Sequence, residues 1–358
     1  MTADFAEPDV VCLGESMVTF HPTRPGRLAD VPAFERGIGG AESNVACALA
    51  AAGHRARWVG RVGTDGFGDH VVEAIAAYGV DVTRVQRDPQ RPTGVYFRTA
   101  GERAVDGLPG AGASEVVYYR AGSAASAMSP ASVPAADVWS GRILHLSGIT
   151  AALSADCLAL MRELTGRRDG RPPVSFDVNY RAGLWKTPAG GVLAELARGS
   201  DVVFVGEDEA EAVWGLKGPD AVRAFLPEPS VLVVKRGAGA AVAYASLRRT
   251  DGTSPGPTDH VVSVPALRVD VVTPVGAGDA FAAGFLSGTL RGLTLEARVR
   301  YAHLTAAAAL TVPGDLGVPP GRAYADRLVA LDDAGWGRLR LGPGWTGRSV
   351  SVEEGTAV

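Results

Sequence analysis

The chain has 358 residues, 46% of them hydrophobic and 21% charged, with a formal net charge of −4. This composition excludes a disordered chain and leaves room for one large α/β domain or two ordinary ones. No long Lys/Arg block is present, which argues against nucleic acid as a partner, because binding a phosphate backbone requires a concentrated positive face.

The N-terminus carries Asp4, Glu7 and Asp9 where a signal peptide would be basic and then apolar. Short apolar runs then predict buried strands at Val10–Leu13, Ala56–Val59, Ile143–Ser147, Val174–Phe176, Val202–Val205 and Val231–Val234. Between them, Glu42–Ala52, Gly68–Tyr78, Pro188–Ala197 and Glu207–Trp214 carry helical patterns. Strands alternating with helices imply βαβ units and a mostly parallel sheet covered on both faces. Ligands of such sheets bind beyond the carboxyl ends of the strands.

Two segments interrupt the rhythm, Thr19–Glu35 and Thr93–Arg120. The second holds Thr-Gly-Val-Tyr-Phe-Arg and Val-Val-Tyr-Tyr-Arg, expected to form antiparallel strands around a Gly-rich loop at 101–114. A small β flap projecting from the body accounts for both segments. Residues 249–259 are expected to form a flexible hairpin loop, and the stretch 342–358 a poorly ordered tail. The apolar run Leu304–Val312 is too short to cross a bilayer. Cys12, Cys47 and Cys157 are far apart and match no metal or redox spacing, so they are expected to be reduced core thiols in a cytoplasmic protein.

The chemistry concentrates in Thr273-Pro274-Val275-Gly276-Ala277-Gly278-Asp279, which follows Val269–Val272 and opens the apolar stretch Ala280–Leu290. Small residues at a helix start let backbone N–H groups approach an anion, and the helix adds partial positive charge. Asp279 in the first turn either complements that dipole or serves as a base beside the anion. Phosphoryl transfer to a hydroxyl requires both an anion hole and such a base. No Gly-x-x-x-x-Gly-Lys-Ser/Thr loop exists, and neither Gly276-x-Gly278 nor Gly37-x-Gly39 completes a dinucleotide fingerprint.

Two signatures together resemble the ribokinase-like (PfkB-type) carbohydrate kinases. One is Pro274-Val-Gly-Ala-Gly-Asp279-Ala-Phe-Ala-Ala-Gly284-Phe. The other is Gly39-Gly40-Ala-Glu-Ser-Asn44-Val-Ala, continuing through Gly60-Arg-Val-Gly63-Thr-Asp65-Gly-Phe-Gly68. The likeness runs from about residue 10 to 328. It implies a three-layer α/β/α fold with a central, mostly parallel sheet and a small β-sheet lid. The body would comprise 1–18, 36–92 and 121–335, the lid 19–35 and 93–120, and a flexible tail 336–358.

The resemblance also implies site roles. Asp279 would be the catalytic base and Gly276, Ala277 and Gly278 the anion hole. Gly39, Gly40 and Asn44 would contact the sugar. Lys235, Gly237, Ala238 and Gly239 would line ATP together with Gly276, Gly278 and His303. Glu209 survives from a magnesium-linked Asn-x-x-Glu whose Asn is here Gly206, so its role toward Mg²⁺ is indirect. Thr273 stands where relatives carry Asp at a monovalent-cation position, which leaves that cation open. The partners implied are a small sugar acid and ATP, with no membrane and a homo-oligomer of this chain.

Within the family, Thr93-Gly94-Val95-Tyr96, Tyr118-Tyr119-Arg120, Leu146-Ser-Gly-Ile-Thr and Asp177-Val-Asn-Tyr180-Arg181 resemble kinases of 2-keto-3-deoxygluconate. Such a substrate needs its carboxylate paired, which suits the planar forks of Arg120, at the flap end, and Arg181, after a strand, expected to converge over the cleft. Tyr96 and Tyr118 are expected to face the sugar, and Tyr119 the opposite side. Fructose is the alternative acceptor. A non-catalytic sugar-acid sensor is the alternative of another class, disfavoured by the retained Asp279.

Overall fold

The computed structural model describes residues 7–24, 26–99, 116–247 and 258–347. The expected loop 101–114, all but the last two residues of 249–259, and the tail beyond 347 lie outside the described residues.

In chain order, the strands begin with β1 Val10–Leu13, β2 Met17–Pro22, β3 Phe34–Gly39, β4 Ala56–Val59, β5 Arg61–Gly63 and β6 Gln86–Asp88. They continue with β7 Val95–Arg98, β8 Val116–Tyr119, β9 Ile143–Ser147, β10 Val174–Asp177, β11 Val202–Gly206 and β12 Val231–Lys235. The last are β13 Ala240–Leu247, β14 Thr258–Pro265, β15 Arg268–Val269 and β16 Arg340–Leu341. Eight of them form one sheet in the order β14-β13-β12-β11-β10-β9-β1-β4. From β4 to β12 the neighbours are parallel, and β13 and β14 add antiparallel strands at one edge. The parallel strands are Val-, Leu- and Phe-rich because both faces are covered. One layer packs Val10, Trp58, Phe204 and Val233 against the helices Ala41–Ala51 and Ala277–Leu290. The other packs Val11, Leu144, Phe176 and Val203 against Ala155–Thr165 and Gly190–Gly199. The six expected strands are all present.

From β1 the chain goes outward to β4 and later returns to β9 on β1's other side. That reversal opens a crevice at the carboxyl ends of β1 and β9. A second sheet, β3-β2-β7-β8, stands over this end. Its strands take up residues 17–22 and 34–39, so it reaches past 19–35 at both ends. Alternation puts Phe20 and Phe97, stacked at 4.7 Å, on one face, and Thr19, Tyr96 and Arg98 on the other.

The chain from 336 to 347, expected as a flexible tail, is built into the body. Trp336 and Trp345 are buried, Trp336 Nε1 donates to the Pro265 carbonyl at 3.0 Å, and β16 pairs with β15. Ahead of the 273–279 motif, Arg268–Val269 forms β15, which pairs with β16. Among the described residues no helix is long and apolar enough to cross a membrane. The three cysteines are free and buried, as expected.

The helices Ala277–Leu290 and Leu295–Leu310 pack so closely at Gly284 that a Cβ there would meet Thr305 Oγ1 at 2.5 Å and the Tyr301 carbonyl at 2.6 Å. Gly284→Ala is therefore expected to destabilise the fold by about 1–3 kcal/mol through overpacking. Gly337→Ala, in a helix with open space around it, should be neutral or stabilising by up to about 1 kcal/mol. Chemical denaturation of the two variants checks the contrast.

Candidate active site

Gly276 caps the helix Ala277–Leu290 in a left-handed conformation, φ 79°. Only glycine serves here, because the carbonyl of Asp315 occupies the place of a side chain. The first intrahelical bond runs from the Ala280 amide to the Gly276 carbonyl, 2.9 Å. Helix geometry therefore leaves the amides of Ala277, Gly278 and Asp279 without intrahelical acceptors. Lys235, at the end of β12, brings its Nζ to within 3.6 Å of where a Gly278 Cβ would lie. The turn thus combines free amides, a helix N-terminus and an ammonium, a set suited to a phosphate.

Asp279 sits at the mouth of this turn. Asn44 Nδ2, from the first turns of the helix Ala41–Ala51, donates to Asp279 Oδ2 at 2.9 Å. The two sequence signatures therefore meet in one hydrogen bond. Burial pushes the Asp279 carboxyl up to about 7, reinforced by the negative charge of Asp177 and opposed by Asn44, Arg181 and Lys235. A base balanced near neutrality is suited to taking a proton from a hydroxyl. Asn44 Oδ1 is buried without a partner in the protein, which leaves an acceptor for a ligand hydroxyl. Asn179 has a similarly orphaned Oδ1 and the only positive φ of a non-glycine among the described residues, 39°. Such backbone strain gathers at functional sites.

A charged cluster lies beneath. Lys235 Nζ donates to Asp177 Oδ2 at 2.8 Å and Oδ1 at 3.1 Å. Burial opposes the Lys235 ammonium, yet Asp177, Glu209 and Asp279 outweigh it and raise its pKa. Glu209 accepts from the Gly206 amide at 2.8 Å, capping its own helix, and from Arg181 Nη1 at 3.4 Å. Burial raises the Glu209 pKa against the pull of Lys235. Arg181 is half exposed and close enough to Asp279 to stabilise its carboxylate.

The small sheet supplies the remaining expected residues. Tyr96 is buried, and its hydroxyl occupies the space a Gly39 side chain would need. Its ring lies 5.4 Å from that of Tyr118. Arg120 stacks 5.6 Å over Tyr118. Tyr119 is exposed on the opposite face, edge-on to Phe97, as alternation requires. Gly40 precedes the Asn44 helix as its N-cap. Gly237, φ 56°, and Gly239 form the turn between β12 and β13, with Ala238 between them, at the sheet end that also carries Lys235.

Two expected residues have other engagements. Arg120 forms an ion pair with Glu15, which also accepts from Ser123 Oγ at 2.6 Å, while Arg120 Nε is buried without a partner in the protein. His303 is packed in the core, with Nε2 3.2 Å from the Val264 carbonyl and its ring edge-on to Phe281. Burial lowers its pKa to about 4.

Several participants leave little local trace in the sequence. Asp177 was visible within its motif, but its pairing with Lys235 was not, since it crosses the intervening strand β11. Glu15 and Glu42 are acids embedded in apolar surroundings, which was the signal available. Glu42 accepts from Ser147 Oγ and Thr150 Oγ1, each at 2.8 Å, and burial raises its pKa. Arg98 and Asp315 had no local signal, because their significance comes only from meeting each other.

A turn suited to phosphate, an adjacent near-neutral carboxylate and an orphaned acceptor suited to a hydroxyl lie together, the combination that phosphoryl transfer to a hydroxyl requires. Residues 7–320 match the model of the pfkB family of carbohydrate kinases, and the chain belongs to that family. It is similar to a 2-dehydro-3-deoxygluconokinase of Bacillus subtilis, 35% identical over 332 residues that cover 90% of this chain and 96% of that protein. A 2-dehydro-3-deoxygluconokinase of Thermoproteus tenax is 33% identical, covering 89% of this chain and 94% of that one. The fold also superimposes with a TM-score of 0.72 on a sugar kinase of Pyrococcus horikoshii crystallised in complex with ATP, 25% identical and covering 91% of this chain and 98% of that one.

Two outcomes follow for Asp279. If only its ionised form accepts the proton, kcat/KM falls with a one-proton slope as pH drops below about 7, and Asp279→Asn lowers kcat by about 10²–10⁴-fold; steady-state rates across pH 5–9 check both. The folded carboxyl has a pKa above its unfolded value, so its contribution favours folding at low pH and is lost as pH rises through about 7. Asp279→Asn should accordingly raise the melting temperature at pH 8 and do so less at pH 5, as read by scanning calorimetry.

Proposed function

We propose that this sugar kinase transfers the terminal phosphate of ATP to the terminal hydroxyl of 2-keto-3-deoxy-D-gluconate, giving the 6-phosphate and ADP. The observation that carries the kinase mechanism is Asp279, held by Asn44 at the mouth of the 276–278 turn with a pKa near 7. Support for an acid substrate comes from the half-exposed Arg181 beside it and from the likeness to the two gluconokinases.

In this mechanism the small sheet β3-β2-β7-β8 acts as a lid over the body, and the acceptor lies between them. Asp279 takes the proton of the acceptor hydroxyl as that oxygen attacks phosphorus, and the bond to the bridging oxygen breaks to release ADP. The amides of Ala277, Gly278 and Asp279, with Lys235, hold the charge on the transferring phosphoryl group. Arg181 pairs the substrate carboxylate, and Asn44 Oδ1 accepts from a hydroxyl. The turn 235–239 lines the nucleotide. Lid closure excludes water and suppresses hydrolysis of ATP.

No group of three His, Cys, Asp or Glu suited to a metal occurs among the described residues. Glu209, beside Lys235 and Arg181 below the 276–279 turn, is the residue that would act on Mg²⁺ carried by the phosphates, and only indirectly. When bound, Mg²⁺ would neutralise phosphate charge.

One observation favours fructose as a second reading: Arg120 is already neutralised by Glu15 and does not require a substrate carboxylate. Arg181→Ala separates the two. A hydrogen-bonded charge pair is worth about 1.5–3 kcal/mol, so kcat/KM for the keto-acid should fall by about 10- to 150-fold while that for fructose changes little. A coupled ADP-release assay on both acceptors reads this, and equal losses, or a wild-type preference for fructose, would reject the acid.

A further inference from the structure

We propose that Asp315 is a positioning residue that makes the anion-binding turn depend on the seating of the small sheet. Asp315 lies in the connection after the helix Leu295–Leu310 and is 7% exposed. Its side chain grips the small sheet. Oδ2 accepts from Tyr96 OH at 3.0 Å, and Oδ1 forms an ion pair with Arg98 Nη2 at 2.7 Å. Tyr96 and Arg98 share one face of β7 and are themselves buried. Arg98 is oriented in turn by His21 on β2, whose Nδ1 accepts from Arg98 Nε at 3.0 Å.

The backbone of the same residue lies on the other half of the site. The Asp315 carbonyl packs directly against Gly276, the left-handed cap that sets the direction of the free amides. Asp315 Oδ2 also approaches Gly39 so closely that a Cβ there would sit 2.8 Å from it. One residue therefore touches the lid strand, the sugar-side glycine and the phosphate-side glycine. A displacement of β7 must either break two contacts to a buried carboxylate or move the backbone that packs on Gly276. Close-packed interiors transmit such shifts as discrete rearrangements. With β7 seated, the turn has its phosphate-binding shape. With β7 released, Asp315 is free to withdraw and the turn to relax. Transfer is thereby restricted to complexes in which an acceptor holds the lid down.

The inference depends on sugar-kinase activity and not on which sugar is used. The test uses whichever of 2-keto-3-deoxygluconate, fructose and ribose the wild-type protein turns over fastest, so a wrong choice of acid leaves it intact. Asp315→Asn is expected to lower kcat by about 10- to 100-fold, as a small misplacement of the reacting groups does, with the acceptor KM within about 3-fold of wild type. Hydrogen exchange gives the second readout. In the wild type the acceptor should slow amide exchange both in 95–98 and in 276–280. In Asp315→Asn it should slow only the first. Arg98→Lys keeps the charge but not the fork, should shift both readouts in the same direction, and carries the test if Asp315→Asn does not fold. A kcat within about 2-fold of wild type, a rise in acceptor KM alone, or undiminished protection of 276–280 would each overturn the proposal.

Discussion

One hydrogen bond, Asn44 Nδ2 to Asp279 Oδ2, joins residues 235 positions apart, and the rest of the site is arranged around it. It requires two helix N-termini to arrive at one point above the sheet. The helices Ala41–Ala51 and Ala277–Leu290 do so by packing side by side on the same face. The bond also sets a chemical balance. Burial drives Asp279 toward its protonated form, and the amide donor, Lys235 and Arg181 draw it back. A carboxylate more exposed to water would be too weak a base, and one buried alone would never ionise.

The same balance recurs around the site in three buried ion pairs: Lys235 with Asp177, Arg120 with Glu15 and Arg98 with Asp315. Such pairs are a poor means of stabilising a fold, since desolvation consumes most of the attraction. Their placement argues for another role. The first fixes an ammonium beside the 276–279 turn. The other two tie β7 to Asp315 and the residue that follows β8 to Glu15. Truncating one member of a pair would leave its partner charged and buried, so a loss of activity in such a variant has to be separated from a loss of folding.

Local patterns made much of this architecture legible. The six parallel strands were readable as uninterrupted apolar runs because both sheet faces are covered. The 276–279 turn was readable because glycines at a helix start can bring amides to an anion, and because Gly39, Gly40 and Asn44 supplied the second signature. Alternation placed Tyr96 and Tyr119 on opposite faces of the small sheet. What escaped detection was whatever depends on distant pairing. Arg120 looked available because nothing in its neighbourhood announces Glu15, 105 positions earlier in the chain. His303 looked like a ligand by likeness alone, yet Phe281 and the Val264 carbonyl enclose it. The segment 336–347 looked like a tail because Gly and charge hide the two tryptophans that anchor it.

The central claim is that Asp279 is a base held near neutrality by burial and by Asn44. Its most direct test is the titration of that one carboxyl, followed by ¹³C NMR in protein labelled at aspartate, with Asp279→Asn identifying the signal. The account predicts a midpoint near 7 in the wild type and a higher one in Asn44→Leu, where the donor that favours the charged form is gone. A midpoint in the ordinary aspartate range near 4, unmoved by the Asn44 substitution, would contradict it.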